Sequence, residues 1–336
     1  MPKNHTLFFT APKKVEIRET SLPALKDDEV LVSTICSAIS AGTEMLVYRG
    51  EFPQVLDIHD NLSSDLNYPL AYGYACVGVV KETGKQVNRS WHNKLVFAFQ
   101  AHASHFILHP SSLILLPEGI SPETACFLPN METAVNLVQD GAPILGERVL
   151  VLGQGIVGLL TASLLSEFPL EKLVTADFYE LRRKASMGIS GIKSFDSSLA
   201  NFYKDSFAYT QSKFDLAFEL SGSPSALNDA IELTTFSGRI VIGSWYGQKH
   251  AEIDLGGAFH RSRIKLISSQ VSTISPELSG RWDKSRRFDV AWNVLERIKP
   301  EKWITHRFPL DKAEEAYRLL DENPQETIQV IFDYTT

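Results

Sequence analysis

Between the apolar run Val149 to Leu152 and an apolar helical stretch lies Gly153-Gln154-Gly155-Ile156-Val157-Gly158. The first glycine permits a tight turn and the second removes a side chain where a pyrophosphate must approach the backbone. The third lets helix and strand pack closely, so the helix N-terminus points at the phosphates. Asp177 follows 19 residues after Gly158, at the end of the next apolar run, Leu173 to Ala176. There a carboxylate can accept hydrogen bonds from the adenosine ribose hydroxyls. The combination describes a nicotinamide dinucleotide site and favours NAD. Arg182 and Arg183 leave NADP open, because a guanidinium can hold a 2′-phosphate, although Asp177 would repel it and such residues more often form an exposed helical face.

His102 and His105 flank Ala103-Ser104 ahead of another apolar run. An imidazole titrates near neutrality and can serve as an acid or base, with a histidine on a surface loop as the plainer alternative.

The elements that must position these groups fall into two textures. The first 120 residues carry short β-type runs broken by turn residues: Val30 to Ile35, Ala75 to Lys81, Lys94 to Phe99 and Phe106 to His109. Ser121-Pro122-Glu123 then supplies an N-cap, a first-turn proline and an early acid for a helix over Thr124 to Leu137. From Arg148 to Gln270, apolar runs alternate with helical segments, which predicts parallel strands joined by crossover helices. Ser223-Pro224 opens one of these helices. Asp311 and Glu314 match a capping box for a last helix ending near Asn323-Pro324, with Ile328 to Phe332 as a closing strand.

A chain of 336 residues, 44% hydrophobic and 22% charged, can bury two cores. A formal charge of −7 gives no basic face for a nucleic acid, and Lys284, Arg286 and Arg287 are too few to supply one. Cys36, Cys76 and Cys126 lack paired spacing, so no disulfide framework is expected. Met1 to Arg18 has no export pattern, and no stretch reaches the roughly 18 apolar residues of a membrane span. The expectation is a cytoplasmic protein without membrane partners.

Over nearly its whole length the chain resembles the medium-chain dehydrogenase/reductase superfamily of zinc alcohol dehydrogenase type. The resemblance is carried by Glu29-Val30-Leu31-Val32 with Ser40-Ala41-Gly42-Thr43-Glu44, by Tyr68-Pro69-Leu70-Ala71-Tyr72-Gly73-Tyr74, and by Glu132-Thr133-Ala134 with Gly146-Glu147-Arg148. Phe218 to Gly222 and Gly238 to Gly243 complete it. The N-terminal motifs are similar to the branch containing bacteriochlorophyllide hydroxyethyl dehydrogenase; the branch carries over, and that substrate does not. The resemblance implies an α/β chain in which a doubly wound Rossmann domain, 123–269, is inserted in a mostly β GroES-like catalytic domain, 1–122 and 270–336. It also implies hydride transfer on a small-molecule substrate, a homodimer joined at Ile264 to Ser268, and cofactor contacts at Thr133, Leu220, Ser221, Gly222, Ile242, Gly243 and Ser244.

The departures from the family are as informative. By position, Ser40 replaces the zinc-binding Cys, Tyr74 the His and Pro129 the third ligand, while Ala75 replaces the Glu after the His, and the four-cysteine structural lobe is missing. No zinc is therefore expected. A hydrogen-bond donor must then steady negative charge on the substrate oxygen, with Tyr74 first and Ser40 and Thr43 next as candidates. Turn hydroxyls bonded to local backbone, and a tyrosine simply packed below the cleft, are the competing explanations. Glu44 is read as orienting its neighbours. A zinc site rebuilt from Cys36, Cys76, His102 and Glu44, and a nucleotide-binding protein without activity, are the other readings. The segment from Arg49 to Asn67 is expected as a loop governing specificity, and Phe52, Tyr72, Trp245 and Tyr246 could line a roomy pocket.

Overall fold

A computed structural model describes residues 3–52 and 66–335. Most of the expected specificity loop, 53–65, lies outside them. The chain divides into two compact units, Met1–Pro129 with Lys299–Thr336, and Asn130–Ile298.

The first unit opens with β1 (Asn4–Ala11) and β2 (Lys14–Thr20), an antiparallel hairpin. Strand β3 (Val30–Ala38) leads into the short helix α1 (Thr43–Arg49). Strand β4 (Leu70–Ala71) pairs with β1, and β5 (Cys76–Thr83), β6 (Leu95–Ala98), β7 (His105–Leu108) and β8 (Ile114–Leu115) follow. Alternate residues of β3, β5 and β6 fill one core with Val30, Val32, Cys76, Val80, Val96 and Ala98.

A single helix was expected from Thr124 to Leu137; two form, α2 (Pro122–Ala125) and α3 (Leu128–Gly141). Ser121 Oγ accepts the Thr124 N–H at 3.1 Å, as an N-cap should. Pro129 explains the break, since it has no N–H for the carbonyl four residues back.

The second unit continues with β9 (Arg148–Leu152), α4 (Ile156–Leu165), β10 (Lys172–Asp177), α5 (Glu180–Met187), β11 (Ile192–Asp196), α6 (Phe202–Thr210), β12 (Phe214–Glu219), α7 (Ala226–Leu233), β13 (Thr234–Ile242), β14 (Lys265–Ser268) and α8 (Lys284–Ile298). The six strands are parallel in the order β11-β10-β9-β12-β13-β14. Numbered along this unit, that is 3-2-1-4-5-6, the doubly wound dinucleotide order. Val149, Leu150, Leu216, Ala217 and Phe218 are fully buried, which accounts for their unalternated apolar runs.

The chain then completes the first unit with β15 (Ile304–Pro309), α9 (Ala313–Glu322) and β16 (Gln329–Asp333). Strand β16 joins β3, giving the larger sheet the path β15-β16-β3-β5-β6-β8, with β7 also on β3. The expected capping box does not form; Leu310–Lys312 makes a 3-10 turn and α9 starts after it. This first unit is the GroES-like part and the second the Rossmann part.

Residues 270–298 were assigned by sequence to the first unit, whereas the structure packs them into the second. The reason is an ion pair. Arg287 of α8 is fully buried and directs Nη2 to Glu132 Oε1 of α3 at 2.8 Å and Nη1 to Asn136 Oδ1 at 2.5 Å. Lys284 reaches the same carboxylate at 2.7 Å. Replacing Glu132 with Ala leaves a buried guanidinium without its counter-charge, so a loss of about 3 kcal/mol is expected. The urea midpoint, at unchanged slope, measures it.

Candidate functional site

In the second unit the glycine turn joins β9 to α4 where the strand order reverses. Gly153 has φ +88°, and a Cβ there would lie 2.5 Å from the Leu220 carbonyl oxygen and 2.6 Å from Ser221 Cα. A Cβ on Gly158 would collide with the Gly153 carbonyl oxygen. Gly155 differs, because nothing stands within 4 Å of the place its Cβ would take. Gly155 is also the N-cap of α4 and offers no side-chain cap, so the first N–H groups of Ile156, Val157 and Gly158 are left to a ligand. A dinucleotide phosphate fits this donor set and this space. The Gln154 side chain turns inward instead, with Nε2 donating to the Gly153 carbonyl oxygen at 2.9 Å.

Asp177 closes β10, nearly buried. Its Oδ2 accepts the Gln154 N–H at 2.7 Å and its Oδ1 the Tyr179 N–H at 2.8 Å, which locks the acid to the glycine turn. Arg183 is committed elsewhere, to Asp196 at 2.9 Å and to the carbonyl oxygens of Asp177 and Phe178. Arg182 lies over the Tyr179 ring, 4.9 Å from its centre.

The ends of β12 and β13 form one hydrogen-bonded group. The Gly222 N–H donates to Ser244 Oγ at 2.9 Å, and the Gly243 N–H to the Glu219 carbonyl oxygen at 3.1 Å. Beneath them lies a residue the sequence reading missed. Glu219 is fully buried; its Oε1 accepts from the N–H and hydroxyl of Ser221, and its Oε2 accepts from Tyr246 O–H at 2.5 Å. Burial, then the facing Glu219 carboxylate, pushes the Tyr246 phenol up, so it stays a donor. An acid directly after the apolar run Leu216-Ala217-Phe218 was the signal. Leu220 follows in the same turn, Ile242 pairs with Glu219 across the sheet, and Thr133 is half-buried on α3.

In the first unit, Ser40, Thr43 and Tyr74 meet. The turn after β3 and the first turn of α1 supply two hydroxyls close enough to the Tyr74 phenol to act on its ionisation. Ser40 Oγ also accepts the Thr43 N–H at 3.2 Å. Burial first, and the Glu44 carboxylate second, push the Tyr74 phenol up to about 12, while the two hydroxyl hydrogen bonds pull the other way.

Behind this trio the structure corrects the reading of His102, which is neither on a surface loop nor facing a cleft. It is fully buried, with Nδ1 2.7 Å from Ser37 Oγ and Nε2 2.9 Å from Glu44 Oε2. Glu44, also fully buried, accepts the Ser40 N–H at 3.0 Å and Tyr317 O–H at 2.8 Å. Tyr334 O–H lies 2.9 Å from Ser37 Oγ. Ser37, Tyr317 and Tyr334 are scattered in sequence and gave no pattern. His105 is half-buried, its Nδ1 3.1 Å from Ser104 Oγ. Tyr72 meets Tyr74 edge-on, and Phe52 packs on Tyr68.

Zinc takes thiolate, imidazole or carboxylate ligands. The trio offers two aliphatic hydroxyls and a phenol, while the nearby imidazole and carboxylate are bonded to each other. This donor set does not fit zinc, and among the described residues no group of three His, Cys, Asp or Glu could hold a metal. Cys36 and Cys126, both free and buried, bring their sulfurs to 3.3 Å. Among the described residues, no helix is long and apolar enough to cross a membrane.

No family model matches the chain. An L-threonine 3-dehydrogenase of Xanthomonas euvesicatoria pv. vesicatoria is 24% identical over 224 residues, 66% of this chain and 62% of that protein. The match thus spans about three-fifths of that relative's length. Among solved structures, the NADH complex of a short chain alcohol dehydrogenase, rspB, of Escherichia coli CFT073 superposes with a TM-score of 0.79 at 19% identity, covering 99% of this chain and 100% of that one. The 2R,3R-butanediol dehydrogenase of Bacillus subtilis gives 0.79 at 18%, covering 98% and 99%. These relatives and neighbours are zinc-type alcohol dehydrogenase-like members of the medium-chain dehydrogenase/reductase superfamily, and this chain has their fold.

A raised phenol pKa predicts how alkali acts on stability. Tyr74 ionises near 10 when unfolded and near 12 when folded, so its contribution is complete below pH 10 and is lost as pH rises towards 12. Tyr74→Phe should therefore lessen, though not abolish, the fall in urea midpoint over that range, since Tyr72, Tyr317 and Tyr334 are also raised.

Proposed function

We propose that this chain is a zinc-independent oxidoreductase using NAD in preference to NADP, acting on a carbonyl, an alcohol or an activated double bond of a small to medium organic substrate. The observation that carries the reading is the glycine turn, open at Gly155 beside uncapped N–H groups and tied to Asp177. The preference for NAD is supported by Asp177, whose charge repels a 2′-phosphate, and by Arg183, which is already bound to Asp196.

The glycine turn and Asp177 would hold the dinucleotide, which when bound would supply or accept the hydride. Proton handling and stabilisation of the substrate oxygen fall to Tyr74. Held protonated by its surroundings, it donates a hydrogen bond to the oxygen on which negative charge develops. The hydroxyls of Ser40 and Thr43 then steady the phenol oxygen as its proton moves. His102 acts through Glu44 rather than on the substrate.

Fluorescence titration should show NADH binding more tightly than NADPH; binding of neither ends this reading. Asp177→Ala should weaken NADH about tenfold, a loss of about 1.4 kcal/mol, and narrow its margin over NADPH. With a panel of ketones and aldehydes, Tyr74→Phe should lower kcat by about 10²-fold at unchanged NADH affinity. Turnover that survives exhaustive chelation, in protein without stoichiometric zinc, is the outcome expected of a hydroxyl site.

The homodimer is part of the same proposal. It is supported by the outer edge of β14, which pairs only with β13 among the described residues and leaves Leu266 exposed. Light scattering at two concentrations should give twice the chain mass.

A further inference from the structure

Two ionisable side chains, His102 and Glu44, are buried completely yet stand behind the residues assigned to the substrate. A buried carboxylate is costly unless every lone pair it turns inward is met. Glu44 meets this with three donors from three parts of the first unit: the Ser40 N–H at the end of β3, His102 Nε2 ahead of β7, and Tyr317 O–H on α9. In the neutral imidazole, Nε2–H on Glu44 leaves Nδ1 to accept from Ser37, whose oxygen can accept from Tyr334. The ring is thus fixed from both ends.

Gly73 ties His102 to Tyr74 by a second route. Its φ is +126°, and a Cβ there would lie 2.7 Å from His102 Cδ2 and 2.9 Å from Nε2. The His102 N–H also donates to the Tyr72 carbonyl oxygen at 3.3 Å. The imidazole therefore touches the backbone immediately before Tyr74 while its Nε2 holds the carboxylate that fixes Ser40.

We propose that His102 and Glu44 form a buried positioning pair that sets Ser40 and Tyr74, and with them Thr43, in place, so that the site is ordered by a buried hydrogen-bonded scaffold. The inference rests on the reading of Tyr74 as the substrate's donor. It goes beyond that reading by assigning order in the trio to residues that never touch substrate.

The test needs no substrate. Hydrogen exchange followed by mass spectrometry reports the Ser40–Glu44 amides, and the parent-minus-Tyr74→Phe difference spectrum reports ionisation of the Tyr74 phenol. His102→Ala should speed exchange across Ser40–Glu44 on the order of tenfold, as loss of about one hydrogen bond's worth of order implies. It should also push the Tyr74 ionisation further up, because the Ser40 and Thr43 hydroxyls that pull it down are released while the raising Glu44 carboxylate stays. Ser37→Ala, which frees only the Nδ1 side, should move both readouts the same way by less. His102→Gln, whose amide can still donate to Glu44, should restore both.

NADH affinity should stay within about twofold throughout, because none of these residues belongs to the glycine turn or bonds to Asp177. Parent-like exchange and ionisation in His102→Ala and Ser37→Ala overturn the proposal, as does a His102→Gln protein no better than His102→Ala. If His102→Ala does not fold, Ser37→Ala and His102→Gln decide the matter by the same two readouts. Failure of the parent protein to bind NADH or turn over any substrate defeats the functional reading alone.

Discussion

A carboxylate with no access to water must be surrounded by donors, and the site in the first unit is arranged around that demand at Glu44. An N–H, an imidazole and a phenol reach it from segments far apart in sequence. Because each donor has its own place in the sheets or on α9, satisfying the carboxylate also fixes β3, the approach to β7 and α9 against one another. Burial first, and the field of the same group second, hold the Tyr74 phenol in its protonated form. One buried acid thus orders the local fold and contributes to the raised ionisation of a neighbouring phenol.

The second unit solves a different problem, that of presenting backbone to an anion. Its order comes from strands buried on both faces and from the Arg287–Glu132 pair, which binds α8 to α3. Glu219 resembles Glu44 in being a fully buried acid met by several donors, and it steadies the turn after β12 as Glu44 steadies the turn after β3. Both of these acids lie beside strand ends, where the ladder stops and leaves N–H groups free to bind them.

What could be read from sequence followed from how local each signal was. The parallel strands β9, β10, β12 and β13 were legible because burial on both faces makes apolar runs. The edge strand β11, Ile192-Lys193-Ser194-Phe195-Asp196, was not, since one half-covered edge tolerates Lys and Asp. The glycine turn and Asp177 were legible because their geometry is written within thirty residues. The grouping of Ser40, Thr43 and Tyr74 as candidates came from a family resemblance and not from their spacing. Ser37, His102, Tyr317 and Tyr334 could not be grouped at all, because nearly three hundred residues separate the first from the last. The boundary at residue 270 failed for a similar reason: the partner of Arg287 lies 155 positions earlier.

The three glycines of the turn answer to different masters. At Gly153 and Gly158 a methyl group would strike the protein's own backbone, whereas at Gly155 it would meet empty space. The outer two are demands of folding and the middle one is a demand of whatever binds. In descendants of this chain released from selection for cofactor, the middle glycine is free to drift while its neighbours stay. Its retention among future homologues would serve as a record of binding kept separately from the record of structure.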